Sequence, residues 1–345
     1  MTIGIGILGA GRWGSHLIRK FLAEPRVRVV AIADPYEPSL ERLRQQQALA
    51  TDPALAETTL TADWRSLLHQ PGLDAVVVAT PAASHYAMIE AALQLGHHVL
   101  AEKPLTLTTQ ESEALCQLAQ AQNRLLVVDH TYLFNPAVEV AKAVIEAGQL
   151  GKIRYGYASR THLCPVRQDV DALWDLAIHD LAIFNYWLGE NPRSLQAQGH
   201  VWLQPQTATA LSPQGLADTV WAGLQYASGI PVQLHWSWLN PDKQRRLVLV
   251  GDRGALIFDE LADEPLVLMT GELEMQPQGY VPANLARQAI AIPPGESLQR
   301  VCAHFVDCIE QNCPSDRSSG EVGAQLVGLL TALSRSMAEG RAIAL

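Results

Sequence analysis

The sequence predicts an α/β protein of two domains. Residues 1–130 read as a doubly wound parallel sheet, and residues 131–345 as an α/β domain with an open, mostly antiparallel sheet. Three observations lead there. A Gly9-Ala10-Gly11-Arg12-Trp13-Gly14 turn joins a short apolar run to a helical segment. About six short strands then alternate with helices up to residue 130. Beyond it, strand-like stretches follow one another at hairpin spacing.

The apolar run from Thr2 to Leu8 reads as a strand and Ser15 to Ala23 as a helix, so a G-x-G-x-x-G lies between them. That is the setting a dinucleotide site requires. Gly9 permits the tight turn, Gly11 lets the backbone approach a pyrophosphate, and Gly14 lets the helix pack close to the strand. The helix N-terminus offers free N–H groups and a positive dipole end to the phosphates. A second strand from Val27 to Ala33 ends on Asp34, about twenty residues past the glycines, where an acid meets an adenosine ribose. Its carboxylate accepts from the ribose hydroxyls and repels a 2′-phosphate, which favours NAD. Arg12 is close enough to the turn to greet a 2′-phosphate, so NADP stays open. A plain strand–turn–helix, with glycines that serve packing alone, is the competing reading.

A polar helix follows from Ser39 to Ala48, then a short third strand at Thr58 to Thr61 and a short helix from Trp64, N-capped by Asp63. Asp74 to Ala79 is a near-continuous apolar strand of the kind buried on both faces of a parallel sheet. It delivers Thr80-Pro81 at its carboxyl end, where ligands sit in such sheets. Ser84 to Leu95 reads as a helix closed by Gly96. His98 to Ala101 is the next strand and delivers Glu102-Lys103-Pro104. A helix from Thr109 to Ala121 and a strand from Leu125 to Asp129 complete the first domain.

The second domain opens with an amphipathic helix from Pro136 to Ala147 and an alternating strand from Lys152 to Arg160. A loop with Cys164, Pro165 and Arg167 leads into a long aromatic-rich helix from Ala172 to Leu188. Strands follow at Ser194–Leu203, Asp218–Tyr226, Ile230–Trp238, Arg246–Gly251 and Ala255–Phe258, with Ser228-Gly229 and Arg253-Gly254 as turns. Ser297 to Cys308 and Gly320 to Glu339 are helical. A one-sided sheet leaves a face bare, and Trp221, His235 and Trp238 are expected there. A partner subunit usually covers such a face.

The 345 residues are enough for two domains with sizeable cores. A net charge of −10 argues against a nucleic-acid or anionic-membrane partner. Five cysteines without a C-x-x-C pair suggest reduced thiols in a cytoplasmic protein. The opening residues show no basic n-region or cleavage site, and no apolar run is long enough to span a bilayer.

Lys103 sits just past a buried strand, where its ammonium can point at a substrate oxygen. A surface lysine paired with Glu102 is the alternative. Asp175 and His179 are four apart on a helix and share one face. Histidine carries protons near neutral pH, and a carboxylate one turn away can orient it or bind a second hydroxyl. The alternatives are an ordinary Asp–His pair or a metal site with Asp180, though further ligands are not evident. Arg160, His162 and Arg167 could bind an anionic group on a substrate. His130, Tyr132 and Asn135 end the last strand of the first domain and could face its cleft. His85 and His97 read as packing or capping residues. Serine-hydrolase, zincin and P-loop motifs are absent.

Together, Ile5-Gly-Ile-Leu-Gly-Ala-Gly11, Asp34, Ala79-Thr80-Pro81 with His85, and Gly96-His-His-Val-Leu-Ala-Glu102-Lys103-Pro104 resemble the Gfo/Idh/MocA oxidoreductases. Trp174-Asp175-Leu-Ala-Ile-His179-Asp180 resembles that family's D-x-x-x-H helix, and Gly251 to Phe258 its late hairpin. The resemblance implies an N-terminal Rossmann domain and a second domain whose open sheet builds homodimers or homotetramers. It implies Lys103, Asp175 and His179 as the catalytic set. The turn residues 9–14, Asp34, Thr80, Pro81, His85, Glu102 and Lys103 would hold the cofactor. Asp171-Ala-Leu-Trp174 departs from the family's small residues before the helix acid. The reading is an NAD(P)-dependent oxidoreductase acting on a secondary alcohol or ketone of a sugar, cyclitol or sugar derivative, with no metal. An NAD-retaining hydrolase or lyase of the same fold, and a non-catalytic ligand sensor, are its rivals.

Overall fold

Strand β1 (Ile3–Leu8) is buried at every position, as is β4 (Ala75–Val78), because both lie inside a sheet covered on two faces. The computed structural model describes residues 2–48 and 53–345. The chain divides into two compact units, Met1–Phe134 with Glu296–Gly328, and Asn135–Gly295 with Leu329–Leu345.

In the first unit, β1 is followed by α1 (Arg12–Leu22), β2 (Val27–Ala33), α2 (Glu37–Ala48), α3 (Pro53–Ala56), β3 (Thr59–Thr61), α4 (Trp64–Leu67) and β4. Then come α5 (His85–Gln94), β5 (His98–Glu102), α6 (Thr109–Ala121) and β6 (Leu126–Asp129). The sheet order is β3-β2-β1-β4-β5-β6, and every pairing is parallel. The order reverses between β1 and β4, so the glycine turn leaves β1 at the switch point where dinucleotides bind. Helix α1 begins at Arg12, one turn earlier than the sequence predicts, because Gly11 is the N-cap.

Chain from far downstream completes this unit. Ser319 bridges Val127 antiparallel at the outer edge of β6, and Ser318 Oγ donates to the Val128 carbonyl at 2.6 Å. The segment 296–328, placed by sequence with the second domain, therefore packs in the first.

The second unit holds α7 (Pro136–Glu146), β7 (Ile153–Leu163), a π-helical turn (Leu173–Ala177), α8 (Ile178–Leu188), β8 (Pro192–His200), β9 (Thr219–Tyr226), β10 (Pro231–Ser237) and β11 (Leu239–Gly251). Next are β12 (Gly254–Asp259), β13 (Leu266–Gln276) and β14 (Gly279–Ala289). Helix α9 (Ser297–Gln311) and the start of α10 (Gly320–Glu339), as far as Gly328, belong to the first unit; the rest of α10 and β15 (Ile343–Ala344) belong to the second. The nine strands run β14-β13-β12-β11-β7-β10-β9-β8-β15, antiparallel except for the central β7–β10 pair.

Two expectations need correction. The β13–β14 hairpin is missing from the sequence reading. Trp238 is not on the bare face: it is fully buried. Side chains on a strand alternate faces. Val232, Leu234 and Trp236 point inward, while His235 points the other way and stacks on Trp221 with centroids 3.7 Å apart. Trp238 continues the parity of Trp236, and the sequence grouping had mixed the two faces.

Candidate active site

The glycine turn of the first unit is shaped by contacts that leave no room for side chains at two of its three glycines. Gly9 has φ +98°, and a Cβ there would meet the Ala79 carbonyl oxygen at 2.5 Å. A Cβ on Gly14 would meet the Gly9 oxygen at 2.0 Å. A Cβ on Gly11 would meet nothing within 4 Å, so the space in front of the α1 N-terminus is open. No side chain caps that terminus and no acid lies in its first turn, which leaves its N–H groups for an anion. Asp34 braces the turn: Oδ2 accepts from the Ala10 amide at 2.6 Å and Oδ1 from the Tyr36 amide at 2.8 Å. Arg42 donates to the Ala10 carbonyl at 2.8 Å. Arg12 and Trp13 are exposed beside the turn. These groups fit a bound dinucleotide.

Thr80 and Pro81 follow β4 and stay partly or wholly open, whereas His85 is buried. Its Nε2 lies 2.9 Å from the Thr80 carbonyl and its Nδ1 lies 3.0 Å from that of Pro104. His85 thus ties the loop after β4 to the loop after β5, as a packing residue does. Burial lowers its pKa.

Lys103 is half-buried just past β5. Glu102 and Asp129 are register partners on β5 and β6, so the two acids end neighbouring strands side by side. His130 is buried, with Nδ1 2.9 Å from Ser318 Oγ. That hydroxyl's proton goes to the Val128 carbonyl, so the histidine donates and keeps its proton on Nδ1. Its Nε2 is buried and has no partner. Burial, aided by the Lys103 charge, pulls His130 down to about 3, so it is neutral. Tyr132 is half-buried in the next turn. Asp129 and Ser318 were not singled out from sequence. An acid that ends a buried strand was the available signal for Asp129, and nothing local pointed to Ser318.

In the second unit, Asp175 and His179 are the half-buried positions of an otherwise buried stretch from 171 to 180. The π turn holds Asp175 and α8 begins one residue before His179. Such insertions re-aim side chains and recur at functional sites. Asp175 Oδ1 accepts from Arg167 Nη1 at 3.2 Å and Oδ2 from Trp238 Nε1 at 3.3 Å. Arg167 also pairs with Asp169 at 2.6 Å. His162 is half-buried, and burial, then the Arg245 charge, lowers its pKa.

Arg160 is not placed to meet a substrate. It is 3 % exposed, and its Nε and Nη2 lie 3.0 and 2.6 Å from Asp180 Oδ1. Trp236 Nε1 donates to Asp180 Oδ2 at 2.8 Å. Asp180 is thereby spent inside the fold, which removes it as a metal ligand beside His179. Among the described residues no cluster of three or more His, Cys, Asp or Glu could hold a metal ion.

A switch-point turn with an anion-ready helix end defines a dinucleotide-binding fold. Residues 3–130 match the model of the oxidoreductase family with an NAD-binding Rossmann fold, and residues 138–257 match the GFO/IDH/MocA C-terminal domain. The chain belongs to the Gfo/Idh/MocA oxidoreductases, and it is an enzyme of that family. It is 26% identical over 273 residues to scyllo-inositol 2-dehydrogenase (NAD(+)) of Bacillus subtilis, covering 77% of this chain and 76% of that one. It is 25% identical over 351 residues to inositol 2-dehydrogenase of Rhizobium meliloti, covering 100% of both. Among solved structures, UDP-N-acetylglucosamine 3-dehydrogenase from Acidithiobacillus ferrooxidans superposes with a TM-score of 0.79 at 23% identity, over 97% of each chain. Levoglucosan dehydrogenase in complex with NADH and levoglucosan gives a TM-score of 0.81 at 21% identity, over 100% of this chain and 99% of that one. Both structural likenesses speak to the fold. No described helix is long and apolar enough to cross a membrane.

Proposed function

We propose that the chain is an NAD-dependent dehydrogenase acting on a secondary alcohol or ketone of a sugar, cyclitol or sugar derivative. The observation that carries the reading is the open space at Gly11, framed by an uncapped helix end and the Asp34 carboxylate. The names of the inositol dehydrogenase relatives support the substrate class. Asp34 supports NAD over NADP, because a second anion beside its carboxylate is repelled.

The bound nicotinamide would supply the carbon that accepts or returns a hydride. His179 takes the hydroxyl proton as general base in oxidation and gives it back in reduction. Lys103, as an ammonium, stabilises negative charge that develops on the substrate oxygen. Asp175, held by Arg167 and Trp238, presents its carboxylate to a neighbouring hydroxyl or orients His179. Tyr155, Tyr157 and Trp221 are exposed aromatics on sheet strands, and they support a homo-oligomer built through that face.

The test is energy transfer from tryptophan to bound NADH and, separately, NADPH, followed by a sugar and cyclitol screen read by NADH absorbance. NADH should bind more tightly than NADPH, and one polyol should give net NADH. Lys103→Ala should then lower turnover about 100-fold or more while NADH affinity holds. Retained turnover in that variant would overturn the mechanism. Tightly held nucleotide with no net turnover would favour the NAD-retaining hydrolase or lyase.

A further inference from the structure

The first unit buries two acids side by side. Glu102 and Asp129 end neighbouring parallel strands in register, so both side chains leave the sheet together. Asp129 is 2 % exposed, and Glu102 Oε1 is sealed from solvent without a hydrogen-bond partner. Two carboxylates buried side by side repel each other and lose their hydration, so one must carry a proton. The surrounding donors say which. Thr131 Oγ1 donates to Asp129 Oδ1 at 2.8 Å, which marks Asp129 as the charged acceptor. The orphaned Glu102 Oε1 marks a neutral acid, since a bare carboxylate oxygen in that position would cost far more.

We propose that Glu102 and Asp129 hold one proton between them, carried by Glu102, and that their single negative charge positions Lys103 as an ammonium. The catalytic part of this rests on the role given to Lys103 above; the shared proton does not. Glu102 and Asp129 are thus positioning residues, and the Glu102 side chain is turned to its neighbour rather than to a cofactor.

The groups around the pair agree with a net charge of one. Lys103 is the cation whose field reaches both acids. Burial first, and the charge of Asp129 second, hold Glu102 well above the usual carboxylate range. His130, at the end of β6, stays neutral and so adds no second cation. From α9 the buried Cys302 thiol feels both acids and is pushed up, mainly by burial, so it stays protonated. Lys20 and Glu24, on and just after α1, act on the same thiol with opposite signs. One ammonium beside two buried carboxylates would leave a net buried charge, and the shared proton removes it.

Infrared spectroscopy of the full-length protein at pH 7 reads the proton directly. A protonated-carboxyl C=O band should be present, should shift when glutamate alone is labelled with 13C, and should vanish in Glu102→Gln. Asp171 is also raised by burial, but the glutamate label leaves its band in place. No glutamate-derived band in the wild type, or a band that survives Glu102→Gln, overturns the proposal. If that variant fails to fold, the labelling result decides alone.

The effect on Lys103 is read by competitive acetylation across pH, with the Lys103 peptide followed by mass spectrometry. Glu102→Gln keeps a donor to Asp129 and one negative charge, so the Lys103 midpoint should stay put. Glu102→Gln with Asp129→Asn removes the charge and should lower the midpoint by about one pH unit or more. An unmoved midpoint in the double variant, or an equal drop in the single one, overturns the positioning role. Neither readout depends on turnover, so a failure of the dehydrogenase reading leaves this test intact.

Discussion

The amide of Ala10 donates to Asp34 Oδ2 at 2.6 Å, so one carboxylate ties the glycine turn to the strand beside it. The same acid therefore shapes the turn as well as bordering it. Asp34→Ala removes acceptors from the Ala10 and Tyr36 amides. Hydrogen bonds to a charged group contribute about 1.5–3 kcal/mol each. NADH affinity should fall about 10- to 100-fold in a fluorescence titration, with NADPH losing less because its repulsion is relieved. Equal losses for both nucleotides would argue that Asp34 only braces the turn.

Gly11 and Gly14 should separate binding from folding. A Cβ on Gly11 has open space, while one on Gly14 strikes the Gly9 carbonyl. Gly11→Leu should keep the wild-type urea midpoint and lose NADH binding. Gly14→Ala should lower the midpoint, as an overpacked site loses about 1–3 kcal/mol of stability. A reversed order would mean that the phosphates do not lie against Gly11.

Asp180 should matter for stability more than for chemistry. Asp180→Ala strips the carboxylate from a guanidinium that is 3 % exposed. Breaking one side of a buried ion pair costs about 3–5 kcal/mol. Replacing both partners, Arg160→Met with Asp180→Leu, should recover most of that loss in denaturant titrations. No recovery would show that the loss lies beyond this pair, in the Trp236 indole N–H left without its Asp180 acceptor or in a further role of Arg160.

Acid should weaken the fold through two histidines, His130 buried and His98 half-buried. Burial first, and Lys103 second, depress His130 to about 3; burial first, and Arg124 second, depress His98 to about 4. Their unfolded value is 6.5, so below that pH the unfolded chain takes protons that the folded one refuses. Their contribution is intact above pH 6.5 and lost as pH falls through the folded values. Glu102, raised on folding, works in the opposite sense above 4.5. His130→Asn should flatten the stability curve below pH 6.5, by up to ~1.4 kcal/mol per pH unit. Parallel curves for variant and wild type would show that His130 is not buried neutral.

The first unit was largely readable because its signals are local. Gly9 to Gly14, the all-apolar β4 and the acid at Asp34 each sit within one turn or strand of the feature they define. The return of 296–328 was not readable, because the periodicity of α9 says that it has a buried face but not which sheet it meets. The β13–β14 hairpin was hidden for another reason. Only its start, Leu266 to Leu268, is buried; Leu273, Met275, Tyr280 and Leu285 are exposed, so most of its apolar residues mark no core, and Pro282 fits only because β14 is an edge strand. At the candidate site, the spacing of Asp175 and His179 was legible. The π turn that aims Asp175 and the arginine that neutralises Asp180 needed coordinates.

The late arrival of Ser318 and Ser319 at the edge of β6 has a consequence for how the protein is made. Translation proceeds at about 5–20 residues per second, so roughly ten to forty seconds pass between Phe134 and the segment that covers β6. Throughout that interval the ribosome-bound sheet presents an open β6 edge, a template for pairing with other nascent chains. The unit whose sheet is made first is completed only when residues 296–328 have been made.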